Sequence, residues 1–277
     1  MNPQVITQSP LASSSASFTP ALTRQLTPSS QRGWRLLPRR HELLQALPRL
    51  GGAIAVSRNQ HAILGGSCNY ASFMAEDDPG IPSPLLQHDI HAWAEIWHYH
   101  ELLNQQIIEG IEFRSPAQMG FHKIIFTDQT DLPYAKLLTT ALEDTPLSQK
   151  QIAAAIKANH TDGVSCPICA QRAGFQTNQP VQDFIDFMAE TIQRHSMLTV
   201  LLAYGSHIDR RTFIPHSQND NGCWHTIKSS QHDLYIRTIR LAQFDQESVD
   251  LENLGPCQIA TLRTRQDEII ATLIRHG

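Results

Sequence analysis

Apolar side chains at Leu43, Leu44, Leu47 and Leu50 recur at helical spacing and predict a helix over residues 39–50. Gly51-Gly52 ends it, because glycine accepts the left-handed conformation found just past helix ends. Ala53–Val56 then reads as a short buried strand, and Ser67–Ala75 as a possible next one. Glu76–Pro84 holds Pro79, Pro82 and Pro84 and must be a loop. Ile90–Leu103 is ambiguous. Trp93, Ile96, Trp97 and His100 would share a helical face, but strands are the favoured reading. Gln106–Phe113 and Met119–Phe126 flank a turn at Pro116 and predict a hairpin. Leu132–Ala141 and Ser148–Ala158 are helical in pattern, and Ser148 is placed to cap the second of them.

The polar stretch Asn159–Pro180 predicts a connector. Val181–His195 follows as an amphipathic helix with Val181, Phe184, Ile185, Met188 and Ile192 on one face. Leu198–Ala203, Cys223–Lys228, His232–Leu241 and Gln258–Arg263 read as strands, and Gln266–Arg275 as a closing helix. Each half therefore reads helix, strands, hairpin, helix. The halves share few letters, so the repeat rests on order and spacing. The implied fold class is α+β: two structurally repeated halves, each an antiparallel β-sheet backed by helices. The expected divisions are a mobile tail at 1–38, a first half at 39–145, a connector at 146–180 and a second half at 181–277.

Composition narrows the function classes. A formal charge of −4 argues against nucleic-acid binding, which needs a surplus of Lys and Arg to neutralise phosphates. No run of eighteen apolar residues exists, so membrane insertion is not expected. Met1–Ser30 is rich in Ser, Thr, Pro and Gln and lacks the basic-then-apolar order of a secretory signal; the expected location is the cytoplasm. Cys68, Cys166, Cys169, Cys223 and Cys257 are too few for a disulfide scaffold and fit reduced thiols. Glycine-rich phosphate loops, nucleophile elbows and His-Glu-x-x-His helices are all absent. The 14 histidines are the unusual figure, since histidine is the commonest metal ligand.

Four segments together carry a family likeness. They are Leu43–Gly51 leading into Gly52–Val56 and Ser57-Arg58-Asn59-Gln60-His61; Gly110-Ile111-Glu112-Phe113-Arg114 closed by Gly120-Phe121-His122-Lys123-Ile124; Trp224 before Asp233-Leu234-Tyr235-Ile236-Arg237; and Leu251-Glu252 with Gln258–Leu262. Their order resembles the haem-trafficking and haem-degrading proteins of bacterial haem uptake, the HemS/ChuX type, over roughly residues 40–140 and 180–275. Where that family carries an Asp-Ile-Asp-Leu-Arg strand, this chain reads Asp89-Ile90-His91-Ala92-Trp93 and lacks the arginine. Its connector is also shorter.

The resemblance implies a protein that takes up and transfers haem, or alternatively an oxygenase that opens the porphyrin with an external reductant. A non-haem regulatory relative is the third reading. Haem asks for an axial ligand to iron, aromatic walls for the macrocycle and cations for its propionates. His160, after the helix ending at Ala158, is the candidate iron ligand; Arg237 is the candidate propionate or distal contact; Phe184, Phe187 and Trp224 are candidate walls. His98 and His100 flank Tyr99 and would share one side of a strand, which makes them the second choice for haem or metal. Cys166-Pro167-Ile168-Cys169 has no second pair to complete a zinc site, although His160 and Asp162 lie near. A haem-uptake transporter or a downstream haem oxygenase is the implied protein partner.

Overall fold

The computed structural model describes residues 31–37, 39–70, 94–103, 106–117, 119–158, 178–205, 207–220, 223–251 and 255–277. The segment expected to be tail already holds a strand: β1 (Gln31–Leu36) pairs with β4 (Glu95–Leu103) and with the short β7 (Glu143–Pro146). The helix marked by Leu43, Leu47 and Leu50 is α1 (Arg40–Ala46), prolonged by a 3-10 turn over Leu47–Leu50. Gly51, at φ +73°, turns the chain into β2 (Gly51–Arg58), which pairs with β3 (Ala62–Asn69). The hairpin expected around Pro116 is β5 (Gln106–Arg114) with β6 (Gly120–Thr130).

Each helix after that starts on a side-chain cap. The Asp131 carboxylate accepts from the Tyr134 amide at the head of α2 (Leu132–Leu142). Ser148 caps α3 (Gln149–Ala158) reciprocally: its hydroxyl accepts from the Gln151 amide, and the Gln151 side chain accepts from the Ser148 amide. Asn178 caps α4 (Gln179–Gln193) by accepting from Val181 N at 3.1 Å.

The second half continues with β8 (Leu198–Tyr204), β9 (His207–Phe213), β10 (Ser217–Asp220), β11 (His225–Lys228), β12 (His232–Ile236), β13 (Gln243–Leu251), β14 (Gly255–Arg263) and β15 (Ile269–His276). The closing helix expected over 266–275 is thus a strand. Its continuous apolar run reads equally as a strand paired on both sides, and β15 lies between β14 and β8 with Ile270, Ala271 and Leu273 buried. The strand expected over 232–241 stops at Ile236 and gives way to a 3-10 turn at Thr238–Arg240.

The repeat is visible in strand order. The first half runs β3-β2-β6-β5-β4 and the second β9-β8-β15-β14-β13, all antiparallel. Each is a hairpin whose first strand receives the last strand of a three-stranded meander, preceded by a helix. The halves are not sealed from each other, because β12 pairs with β3, so β10-β11-β12 extend the first sheet to ten strands and leave the second with five. One core joins α4 and the second sheet to Ala62, Leu64, Leu234 and Ile236 of the first; another packs α1 and α2 on Ile96, Ile111, Phe113 and Ile124. Among the described residues, no helix is long and apolar enough to cross a membrane.

Candidate functional site

The two faces of the ten-stranded sheet carry different chemistry. One row crosses it through paired residues His98, Ile111, Ile124, Ala55, Gly66 and His232, on the face that receives the helices and the second sheet. By strand alternation the opposite face carries Tyr99, Glu112, Lys123, Val56, Ile63 and Tyr235.

That opposite face combines aromatic rings with buried charge. Trp224, 3% exposed, clusters with Tyr235, Ile63, Val56 and Ile125. Glu112 accepts from the fully buried Arg114 at 2.6 Å, and Arg114 lies over the Trp97 ring at 4.2 Å. Glu101 accepts from Lys123 at 3.1 Å, and Lys123 lies over Tyr99 at 3.9 Å. Glu95 meets Arg35, and Asp233 lies opposite Lys228 in the strand register. Two further cations belong to this face. Burial holds the Arg58 guanidinium below its ordinary pKa, against the pull of Glu112 and with the push of Arg114. Arg237 follows Tyr235 by alternation, its amide donating to His61 O, and its half-buried side chain makes no hydrogen bond or ion pair among the described residues. Arg58 and Arg237 both lie at the end of this face where β12, β3 and β2 meet. Burial also raises the Asp233 carboxyl, and Tyr235 donates to it at 3.2 Å.

The sequence-derived candidates separate on this map. Arg237 and Trp224 fall on the same face. Phe184 and Phe187 do not line it. Both point from α4 into the core between the sheets, because they supply the helix's inward stripe. His98 and His100 are on β4, on the other face and five strand spacings from β12, roughly 24 Å away. They cannot share a small ligand with Arg237. His160, Cys166 and Cys169 lie outside the described residues.

A buried polar chain joins the two sheets where β2, β3 and β6 face β9. The His122 ring contacts Ser57 Oγ at 2.7 Å through Nδ1 and the Tyr70 hydroxyl at 2.9 Å through Nε2. Arg211 donates to Asp209, with Nη2–Oδ2 at 2.8 Å. Burial alone would raise the Asp209 carboxyl, but Arg211, by charge and hydrogen bond, holds it down at about 2. Burial drives Cys68 up to about 12 and His207 down to about 4. A thiol so placed is no nucleophile. This network locks the sheets together. Sequence reading missed it because buried charges such as Asp209 and Arg211 spoil the hydropathy of β9. It also missed Arg58 as a site residue, although that arginine opens the Arg-Asn-x-His phrase.

These features define a class of fold: a duplicated α+β protein in which two hairpin-plus-meander sheets are joined by strand exchange. The sequence matches no protein-family model and no curated protein. Solved structures share the fold at low identity. Holo-PhuS, a heme-binding protein from Pseudomonas aeruginosa, matches with a TM-score of 0.65 and 14% identity, over 88% of this chain and 82% of that one. The Escherichia coli O157:H7 heme-degrading enzyme ChuS matches with a TM-score of 0.60 and 15% identity, over 88% and 81%. A second structure of ChuS, described as an E. coli heme oxygenase, gives 0.61 and 15% over 88% and 83%.

Proposed function

We propose that this chain binds haem and passes it on in bacterial haem utilisation, within the cytoplasm. The observation that carries the proposal is the conjunction of the PhuS and ChuS fold with a sheet face bearing Arg237, Arg58, Trp224 and Tyr235. The residues fit the cargo. Haem propionates are carboxylates, and Arg237 offers a fork-shaped donor that no described residue occupies. The buried rings of Trp224 and Tyr235 form an apolar wall behind it. His160 is the proposed axial ligand, following α3 in sequence; neutral imidazole is a common haem ligand. A haem-uptake transporter would supply the cargo and a haem oxygenase would consume it.

Titrating purified protein with hemin tests this directly. A saturable one-to-one Soret change is expected. Arg237→Ala should speed haem release roughly ten- to hundredfold, the worth of one charged hydrogen bond at about 1.5–3 kcal/mol. His160→Ala should shift the Soret band, while His41→Ala should not. Absence of saturable hemin binding overturns the proposal. Loss of the Soret band with ascorbate under peroxide scavenging, giving a biliverdin-like product, would move the assignment from carrier to enzyme.

A further inference from the structure

The helix-covered face holds a second cluster that the haem reading does not use. His98 and His100 project from the same side of β4, and Glu109 lies on β5 directly across from His100 in the register. His98 Nε2 is 2.8 Å from Glu109 Oε1, His100 Nε2 is 3.4 Å from the same oxygen, and one ligand atom from each residue falls within 4.8 Å of the others. A tetrahedral zinc ion with bonds of about 2.0–2.1 Å sets its ligands roughly 3.3 Å apart, so small side-chain adjustments would close the set around a cation.

Three further observations point to a ligand here. First, the outer nitrogen of His98, Nδ1, contacts Glu143 Oε1 at 2.8 Å, the carboxylate–histidine arrangement that orients an imidazole for a metal. Second, both His98 nitrogens face carboxylates at 2.8 Å, a concentration of negative charge that a cation would balance. Third, His100 Nε2 is enclosed and has no hydrogen-bond partner among the described residues. The rings are also held in place: Trp34 stacks on His98 with centroids 5.5 Å apart and meets His100 edge-on at 5.1 Å. Glu109 and His100 each keep about a third of their side-chain surface exposed, which gives an ion a way in.

We propose that His98, His100 and Glu109 bind a divalent transition cation of the zinc type, with Glu143 as the positioning carboxylate behind His98. Imidazole nitrogens with one carboxylate suit a borderline cation better than calcium or magnesium, which prefer all-oxygen sites. The two carboxylates balance the charge of the ion, and three protein ligands leave the fourth position to water. The site lies on the other face from Arg237 and is independent of haem binding.

The test uses the full chain, stripped with EDTA, in a Cys166→Ser/Cys169→Ser background so that this Cys-x-x-Cys pair contributes nothing. Zn²⁺ is titrated against a chromophoric chelator, and Co²⁺ absorption reports coordination. One Zn²⁺ per chain and a tetrahedral Co²⁺ spectrum are expected. Glu109→Gln and His100→Ala, both at half-exposed positions, should each weaken binding at least a hundredfold. Glu143→Gln should weaken it roughly ten- to hundredfold, as the loss of an outer carboxylate does elsewhere. Hemin binding by His100→Ala should be unchanged. No stoichiometric Zn²⁺ in the Cys166→Ser/Cys169→Ser chain overturns the proposal. So does Zn²⁺ that survives both Glu109→Gln and His100→Ala, or a loss of hemin binding in the folded His100→Ala variant.

Discussion

Moving from pH 7 to pH 5 should strip this fold of much of its stability through His207 and His232. His207 on β9 is packed against Phe121 and His122, and His232 on β12 lies flat on Phe213 with centroids 5.4 Å apart. Burial lowers both rings to about 4 from an ordinary value of 6.5, and the Asp209–Arg211 pair acts on both with opposing signs. The folded protein therefore keeps these rings neutral at pH 5, while the unfolded chain protonates them. The unfolded state binds more protons throughout the window from 6.5 down to 4, so stability rises with pH and is lost on acidification. Each ring contributes a loss of about 2 kcal/mol between pH 7 and 5, and the two together about 4 kcal/mol. That is a large share of a typical folding free energy of about 5–15 kcal/mol. Asp209, held at about 2, stays ionised across the window, so the ion pair itself does not titrate. Urea unfolding at both pH values, on the wild type and on His207→Gln/His232→Gln, isolates the two rings. The loss of stability should be about 4 kcal/mol smaller in the double variant, with each single variant near half of that. Equal pH dependence in all four proteins would refute the reasoning.

Two other substitutions probe the packing. Asp209→Asn leaves Arg211 charged in a dry interface and should cost about 3–5 kcal/mol in urea unfolding at neutral pH; a change below about 1 kcal/mol would mean that water reaches the pair. Gly110→Ala puts a methyl group onto the Ile124 carbonyl oxygen and 2.6 Å from the Tyr99 hydroxyl. It should destabilise by about 1–3 kcal/mol or more, checked by thermal unfolding, because a paired strand cannot shift its own carbonyl aside.

Where side-chain period and burial agree, the sequence was readable. Leu43, Leu47 and Leu50, the capping Ser148 of α3, and Val181, Phe184 and Met188 on α4 all fall where their spacing put them. The family likeness carried the order of strands that local pattern left open, above all at β4, where Ile96 and Trp97 suit either helix or strand. Three kinds of element escaped. Edge strands such as β13 expose most of their positions and so show little hydropathy contrast. Interior strands with buried ion pairs, such as β9, place charge where apolar residues would be expected. The central strand β15 is apolar enough on both faces to pass for a helix. Among the candidate residues, the likeness singled out Arg237 and Trp224, which fall on one face, while nothing in the sequence pointed to Glu109 and Glu143. Their link to His98 depends on strand register and on β7, neither of which a single sequence displays.

The exchange of β12 onto β3 is what assembles the candidate haem face. A divide near residues 146–180 separates the two repeats in sequence, but hydrogen bonding crosses it, since Tyr235 pairs with Ile63 and Leu234 with Leu64. Through that pairing an arginine of the second repeat, Arg237, arrives beside the end of β2, where Arg58 of the first repeat lies. Neither repeat alone brings Arg58 and Arg237 to one end of one face, with Trp224 and Tyr235 from the second packed on Val56 and Ile63 from the first. A ligand with two carboxylates and a flat apolar body needs both contributions at once. The duplicated fold thus forms the candidate site by joining the repeats and not by copying it. That also accounts for how a chain lacking an arginine at Asp89–Trp93 still presents a pair of them.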